Sequence, residues 1–142
     1  MTPTIYRPHN PLQKWIEAPL VLLIGGVGYT AIEVLWRGYS HPAMAVCGAI
    51  CFYFVYRLCA DHPRTPILLR ALIGALFITA TELFAGCLLN IALGLRIWDY
   101  SHLPYQFLGQ ISLHYSVAWF FLSLLLCGVS RAVRRLVFFA EI

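Results

Sequence analysis

Charge is what this 142-residue chain has least of: Asp, Glu, Lys and Arg make up only 11%, against about 25% in soluble domains. So few ionic groups cannot cover a water-exposed surface, which excludes a soluble globule. Acids are scarcer than bases, six against ten, for a formal net charge of +4. No nucleophile elbow, phosphate-binding loop or dinucleotide fingerprint occurs. The chain therefore carries no Walker site of its own for ATP hydrolysis, no catalytic motif, and no implied cofactor. The five histidines are dispersed without a His-Glu-x-x-His pattern, and no Cys-x-x-Cys occurs. Cys47 and Cys51 are four residues apart, but Cys59, Cys87 and Cys127 are scattered, and all five fall within apolar runs. That argues against a metal site or disulfide scaffold and for small buried hydrophobes. Basic residues flank the apolar runs instead of forming a nucleic-acid surface.

What the chain has is hydrophobicity: 61% of residues, with a mean hydropathy of +0.75. Four apolar runs reach membrane length, for which a helix needs roughly 20 residues. They cover 18–36, 42–60, 71–95 and 105–130. Lipid offers no partner to unpaired backbone groups, so the runs are expected to be helices, and they lack the alternation of a barrel. The third and fourth are long enough to tilt or project beyond the bilayer. A cleaved signal peptide fails for the first run on its length, on the late charges Glu33 and Arg37, and on the runs that follow. The expectation is one all-α, polytopic membrane domain over residues 1–142, with Met1–Glu17 an irregular surface segment.

Basic residues orient the bundle. Arg7, Lys14, Arg57, Arg64, Arg70, Arg131, Arg134 and Arg135 flank one side, and only Arg37 and Arg96 the other. Both termini are expected to be cytoplasmic. Arg131, Arg134 and Arg135 share one helical face suited to anionic headgroups, with docking of a cytoplasmic partner the alternative. Trp36, Trp98 and Tyr100 suit an aromatic belt at the opposite interface.

The two halves echo one another. Tyr39-Ser40-His41 recurs as Tyr100-Ser101-His102, and at the same offset Gly48 matches Gly109 and Ile50 matches Ile111. Upstream, Thr30-Ala31-Ile32-Glu33 resembles Thr79-Ala80-Thr81-Glu82, with an insertion placed after Glu82. Both halves begin inside and turn outside, so a duplication implies two parallel hairpin repeats. Chance likeness of outer-loop composition is the alternative.

Intramembrane ionisable groups mark candidate sites. Glu33 and Arg37 are four residues apart, able to pair on one helix face, with Gly26 and Tyr29 extending the stripe. That pair either marks the membrane boundary or joins a site. Thr79, Glu82, Gly86 and Asn90 form a second stripe, Glu82 near the midplane and Gly86 permitting close approach. On the fourth run Gln110 and His114 are four residues apart and face one direction, with His114 in the outer half. Glu33, Arg37, Glu82, Asn90, Gln110 and His114 are thus the candidate lining of one cavity open to the outside. Tyr29, His41, Asp99 and His102 are secondary candidates, Asp99 as a partner for Arg37. The bland alternative is that these groups only knit helices together. Gly25, Gly26 and Gly28 suit helix packing.

Gly28–Gly38 (GYTAIEVLWRG), Ser40-His41, Trp98-Asp99-Tyr100-Ser101, Leu108-Gly109-Gln110-Ile111 and Trp119-Phe120 together resemble the CmpB-like ABC-transporter permease family. The resemblance runs from the first span to the fourth. It implies a multi-pass protein of a bacterial-type cytoplasmic membrane, working with a separate ATPase or membrane partner and self-associating, since four helices are few for a transport path. It brings no established catalytic residues. Three functions stand in order: a transport component with a polar site for a small solute or proton, a structural accessory subunit, and an intramembrane enzyme acting on a lipid-like substrate.

Overall fold

A computed structural model describes residues 11–138, leaving aside the side chains of Pro11 and Lys14. Four helices follow in order: α1 (Pro11–Arg37), α2 (Pro42–Asp61), α3 (Ile67–Gly86) and α4 (Leu113–Leu136). The axis of α3 continues through a π-helical segment, Cys87–Ala92. All four are long and apolar enough to cross a membrane, over Trp15–Arg37, Pro42–Asp61, Ile67–Ala92 and Leu113–Leu136. Leu23, Val27, Leu76, Phe84 and Phe121 are exposed around the outside, as lipid-facing side chains should be, because lipid imposes no penalty on apolar surface.

The helix boundaries have local causes. Pro42 occupies the first turn of α2, where its missing N–H costs nothing, and the His41 imidazole caps it by accepting from the Ala43 amide at 3.2 Å. Pro63 and Pro66 break the short link to α3. The Ser112 hydroxyl caps α4 by accepting from the Tyr115 amide.

α1 packs along α2 and α3 along α4, with α2 central enough to touch α3 and α4 as well. The α1–α2 seam is close because it is built on glycine. A side chain at Gly25 would meet Phe52 Cβ at 2.7 Å, and one at Gly48 would run into Tyr29. Gly28, by contrast, faces open space.

Two ends follow from the topology. The terminal end holds the start of α1, the end of α4 and the 62–66 link. The loop end holds residues 38–41 and the long 93–112 segment. Near the terminal end Val21, Phe52, Tyr56, Val133 and Phe138 form one apolar cluster; at the loop end Met44, Ala85, Ile97 and Trp98 form another.

The structure departs from the sequence reading in several places. Residues 11–17 are helical, and Glu17 is buried, accepting from the Tyr56 hydroxyl at 2.7 Å. The irregular surface segment is therefore wrong from Pro11 onward; its first part, with Arg7, lies outside the described residues. The third span begins at Ile67 and ends at Ala92. The fourth begins at Leu113, because residues 105–112 make a small hairpin instead of helix: β1 (Gln106–Phe107) pairs antiparallel with β2 (Ile111–Ser112). Of the arginine triad, Arg131 and Arg135 are exposed, but Arg134 is buried over the Tyr56 ring, 5.5 Å from its centroid.

Candidate functional site

At the loop end, the last turn of α1 presents Glu33 and Arg37 on one face. Arg37 Nη2 lies 2.5 Å from Glu33 Oε1, and the Ser40 hydroxyl donates to the other carboxylate oxygen. Arg37 Nη1 donates to the Ile97 carbonyl at 3.0 Å, pinning the 93–112 segment to α1. Its guanidinium lies over the Tyr39 ring, 4.7 Å from the centroid. Arg37 Nε is buried without a hydrogen-bond partner.

Glu82 is held differently. It is buried on α3, about ten residues before the end of its span and so roughly 15 Å below it. Both carboxylate oxygens accept from neutral donors: Tyr100 hydroxyl to Oε1 at 2.8 Å, and Trp119 indole N–H to Oε2 at 3.0 Å. Among the described residues, neither ion pair involves Glu82. The donors are held by stacking, Tyr100 on Tyr115 at 4.5 Å and Tyr115 beside Trp119 at 6.0 Å. Burial, with the carboxylate close by, raises the Tyr100 hydroxyl well above its ordinary value, so it stays a donor.

A brace of polar contacts brings Tyr100 to Glu82. Asn90 Oδ1 accepts from the Ile97 amide at 2.7 Å, and its Nδ2 donates to Trp98 O at 3.1 Å and Gln110 Oε1 at 2.8 Å. Trp98 Nε1 donates to the Gln110 carbonyl at 3.0 Å, and the Tyr100 amide to Gly109 O at 2.8 Å. Gly86 makes room: a Cβ there would lie 2.5 Å from Gln110 Oε1 and 2.8 Å from its Cβ. The π-helical segment ending α3 adjoins this brace, and such segments recur at functional sites.

Two cavities flank the carboxylates. The loop-end cavity, about 830 Å³, is lined by Glu33, Arg37, Arg96, Asp99, Tyr100 and His102 among others. A second, about 220 Å³, lies between the helices against Glu82, Cys51, Leu122 and Leu126, and is otherwise largely apolar. Tyr29, Ile32, Met44, Trp98 and Trp119 line both and form the wall between them.

The structure thus divides the expected cluster. Glu33 and Arg37 line the loop-end cavity and Glu82 the inner one, while Asn90 and Gln110 brace the covering segment. Gln110 lies in the hairpin turn, so it shares no helix face with His114, which is exposed in the first turn of α4 and lines neither cavity. Of the secondary candidates, Tyr29 separates the cavities and His41 caps α2, while exposed Asp99 and His102 line the loop-end cavity. Asp99 does not pair with Arg37; it accepts from the hydroxyl and amide of Ser101, which hold its carboxyl below the usual range. Trp98 and Tyr100 turn inward, unlike the exposed Trp36, and so leave the expected belt. Among the described residues no group of three His, Cys, Asp or Glu could hold a metal ion.

Trp119 and Tyr100 are the residues that the site reading lacked. A signal for Trp119 existed: Ser116, Trp119, Ser123, Cys127, Ser130 and Arg134 recur at spacings of three and four on α4. Ser123, Cys127, Ser130 and Arg134 are buried on that stripe, and Ser116 reaches Thr79 across the α3–α4 seam at 3.0 Å.

A family model described as "Putative ABC-transporter type IV" matches residues 37–140. The match takes in Arg37, Glu82, Asn90, Tyr100, Gln110 and Trp119, whereas Tyr29 and Glu33 precede it. No solved structure matches the chain.

Proposed function

Because the chain belongs to this ABC-transporter type IV family, we propose that it is a transport component in which a polar cavity passes a small solute or proton to Glu82. One observation carries the reading: a buried intramembrane carboxylate is held, among the described residues, by two neutral donors, and both donors line the loop-end cavity. A carboxylate tied to an arginine must give up an ion pair to take a proton. One held by hydroxyl and indole groups can take up and release a proton without breaking an ion pair. Tyr100 connects the cavity to this carboxylate, because it lines the cavity and its hydroxyl donates to Glu82.

In this reading the loop end faces outward and both termini face the cytoplasm, with Arg57, Arg64, Arg70, Arg131 and Arg135 on the inner side. The setting is a bacterial-type cytoplasmic membrane. Coupling to ATP requires a separate ATPase, since the chain has no Walker motif, and a complete path through four helices calls for self-association.

The test uses Trp119 as a built-in probe, in protein whose exposed Trp15 and Trp36 are replaced by Phe so that emission comes from Trp98 and Trp119 at the cavity wall. In purified protein reconstituted into liposomes, tryptophan emission should change reversibly as the external pH is stepped, and Glu82→Gln should abolish the change. A response of undiminished size in Glu82→Gln would overturn the assignment.

A further inference from the structure

The two cavities adjoin but differ in chemistry. The loop-end cavity carries both signs of charge: Arg37 and Arg96 against Glu33 and Asp99. Arg96 and Asp99 are exposed and, among the described residues, in no ion pair, so both have capacity for a ligand. Beyond the wall at Tyr29 and Trp119, the lining turns to Ile24, Gly28, Leu122, Leu125, Leu126 and Val129. Its volume of about 220 Å³ exceeds the roughly 150 Å³ of an apolar cavity that stays dry and binds benzene.

The inner cavity also borders the loosely packed side of the bundle. α1 packs along α2 and α4 along α3, with no comparable seam between α1 and α4. An apolar cluster that includes Val21, Val133 and Phe138 fills the terminal end, with Ile24, Leu126 and Val129 packed against it. Higher up, cavity-lining residues face outward as well: Leu125 is 62% exposed and Ile32 46%, and Gly28 has open space before it. A molecule diffusing in the bilayer could enter between α1 and α4, with its polar end meeting the charges at the loop end.

Resting on the transport reading, we propose that the solute is a single-chain amphiphile with a zwitterionic headgroup. The head lies among Arg37, Arg96, Glu33 and Asp99, and the chain passes Trp119 into the apolar cavity. Opposite charges on the wall match a head carrying both signs, whereas an uncharged head offers no counter-charge to Arg96 or Asp99. The geometry also sets the chain beside Glu82, the carboxylate that the transport reading makes the ionisable centre.

The probe is a lysophosphatidylcholine with a photoreactive group midway along its chain, added to the full-length protein in liposomes and mapped by peptide mass spectrometry. Saturable labelling of Ile24–Gly28 and Leu122–Leu126 is expected, with little on the lipid-facing Leu76 and Phe84 of α3. Gly28→Leu, placed where a side chain meets only open space, should reduce chamber labelling about tenfold, equivalent to about 1.4 kcal/mol. Unlabelled lysophosphatidylcholine should compete and an uncharged monoacylglycerol should not. Equal labelling of α3, or full labelling in Gly28→Leu, overturns the amphiphile; equal competition by the monoacylglycerol overturns the zwitterionic head. Diffuse labelling beside a Glu82-dependent pH response would sink this proposal alone. Saturable chamber labelling with a pH response that survives Glu82→Gln would support it while removing Glu82 as the ionisable centre.

Discussion

Glu33 and Glu82 sit in echoing sequence, Thr-Ala-Ile-Glu and Thr-Ala-Thr-Glu, yet the fold gives them opposite electrostatics. Glu33 finds a cation one turn along its own helix and a hydroxyl just past its end. Glu82 finds none on its own helix; its donors come from Tyr100 in the covering segment and Trp119 on another helix. An ion pair at i, i+4 supplies a counter-charge from the carboxylate's own helix. A carboxylate satisfied by neutral donors from elsewhere depends on the placement of a loop, and in the proposed function its charge is the adjustable one.

The downstream halves of the echo diverge for the same reason. His41 directly caps α2, whereas His102 is followed by a hairpin before α4 begins. Gly48 packs inside a helix, whereas its counterpart Gly109 turns the hairpin at φ +68°. The residues after Glu82 that break the correspondence, the π-helical segment and the stretch to Trp98, are those that carry Tyr100 back over the bundle.

The contrast can be broken most severely at the loop. Gly86→Val should drive Gln110 from its seat and unbrace Tyr100. We expect a loss of about 1–3 kcal/mol, the usual range for overpacking, seen as a lower melting temperature in detergent together with a lost pH response of Trp119. Arg37→Gln removes both the ion pair and the bond to Ile97. Its expected cost is about 1 kcal/mol, with the pH response retained. Glu82→Gln should cost only about 0.6 kcal/mol, typical of one membrane hydrogen bond, while abolishing the response. If Arg37→Gln silenced Trp119 and Glu82→Gln did not, the roles of the two carboxylates would be reversed.

The smallest effect belongs to Asp99. Its folded carboxyl lies below the ordinary value of 3.8 because of the Ser101 contacts. The stabilisation is therefore present above the unfolded value and is lost as pH falls through the folded one. Melting temperatures below about pH 4 should show a slight acid-limb loss that Asp99→Asn lacks.

What was legible in the chain follows the range of each interaction. Four apolar runs declared four spans, since hydropathy needs no knowledge of neighbours. The Glu33–Arg37 pair was legible because helical spacing alone brings it together. The Thr79–Glu82–Gly86–Asn90 stripe was legible as a face, but its partners were not. Gln110 was read onto a helix because residues 105–112 are apolar enough to extend the fourth run, and composition does not reveal that Leu108 and Gly109 turn at positive φ. His114 was drawn into the cluster by the same error. Trp98 and Tyr100 have the composition of interfacial aromatics; the Asn90 side chain, bonded to Ile97 and Trp98 seven and eight residues on, folds their segment inward.

The central claim is that Glu82 exchanges protons through the loop-end cavity and not through the terminal end. It is tested most directly by following tryptophan emission in liposomes with a single, known protein orientation, while pH is stepped on one side at a time. The account expects a prompt response to loop-side steps, none to terminal-side steps, and neither in Glu82→Gln. An equal response from the terminal side, or one that persists without the Glu82 carboxylate, would contradict it.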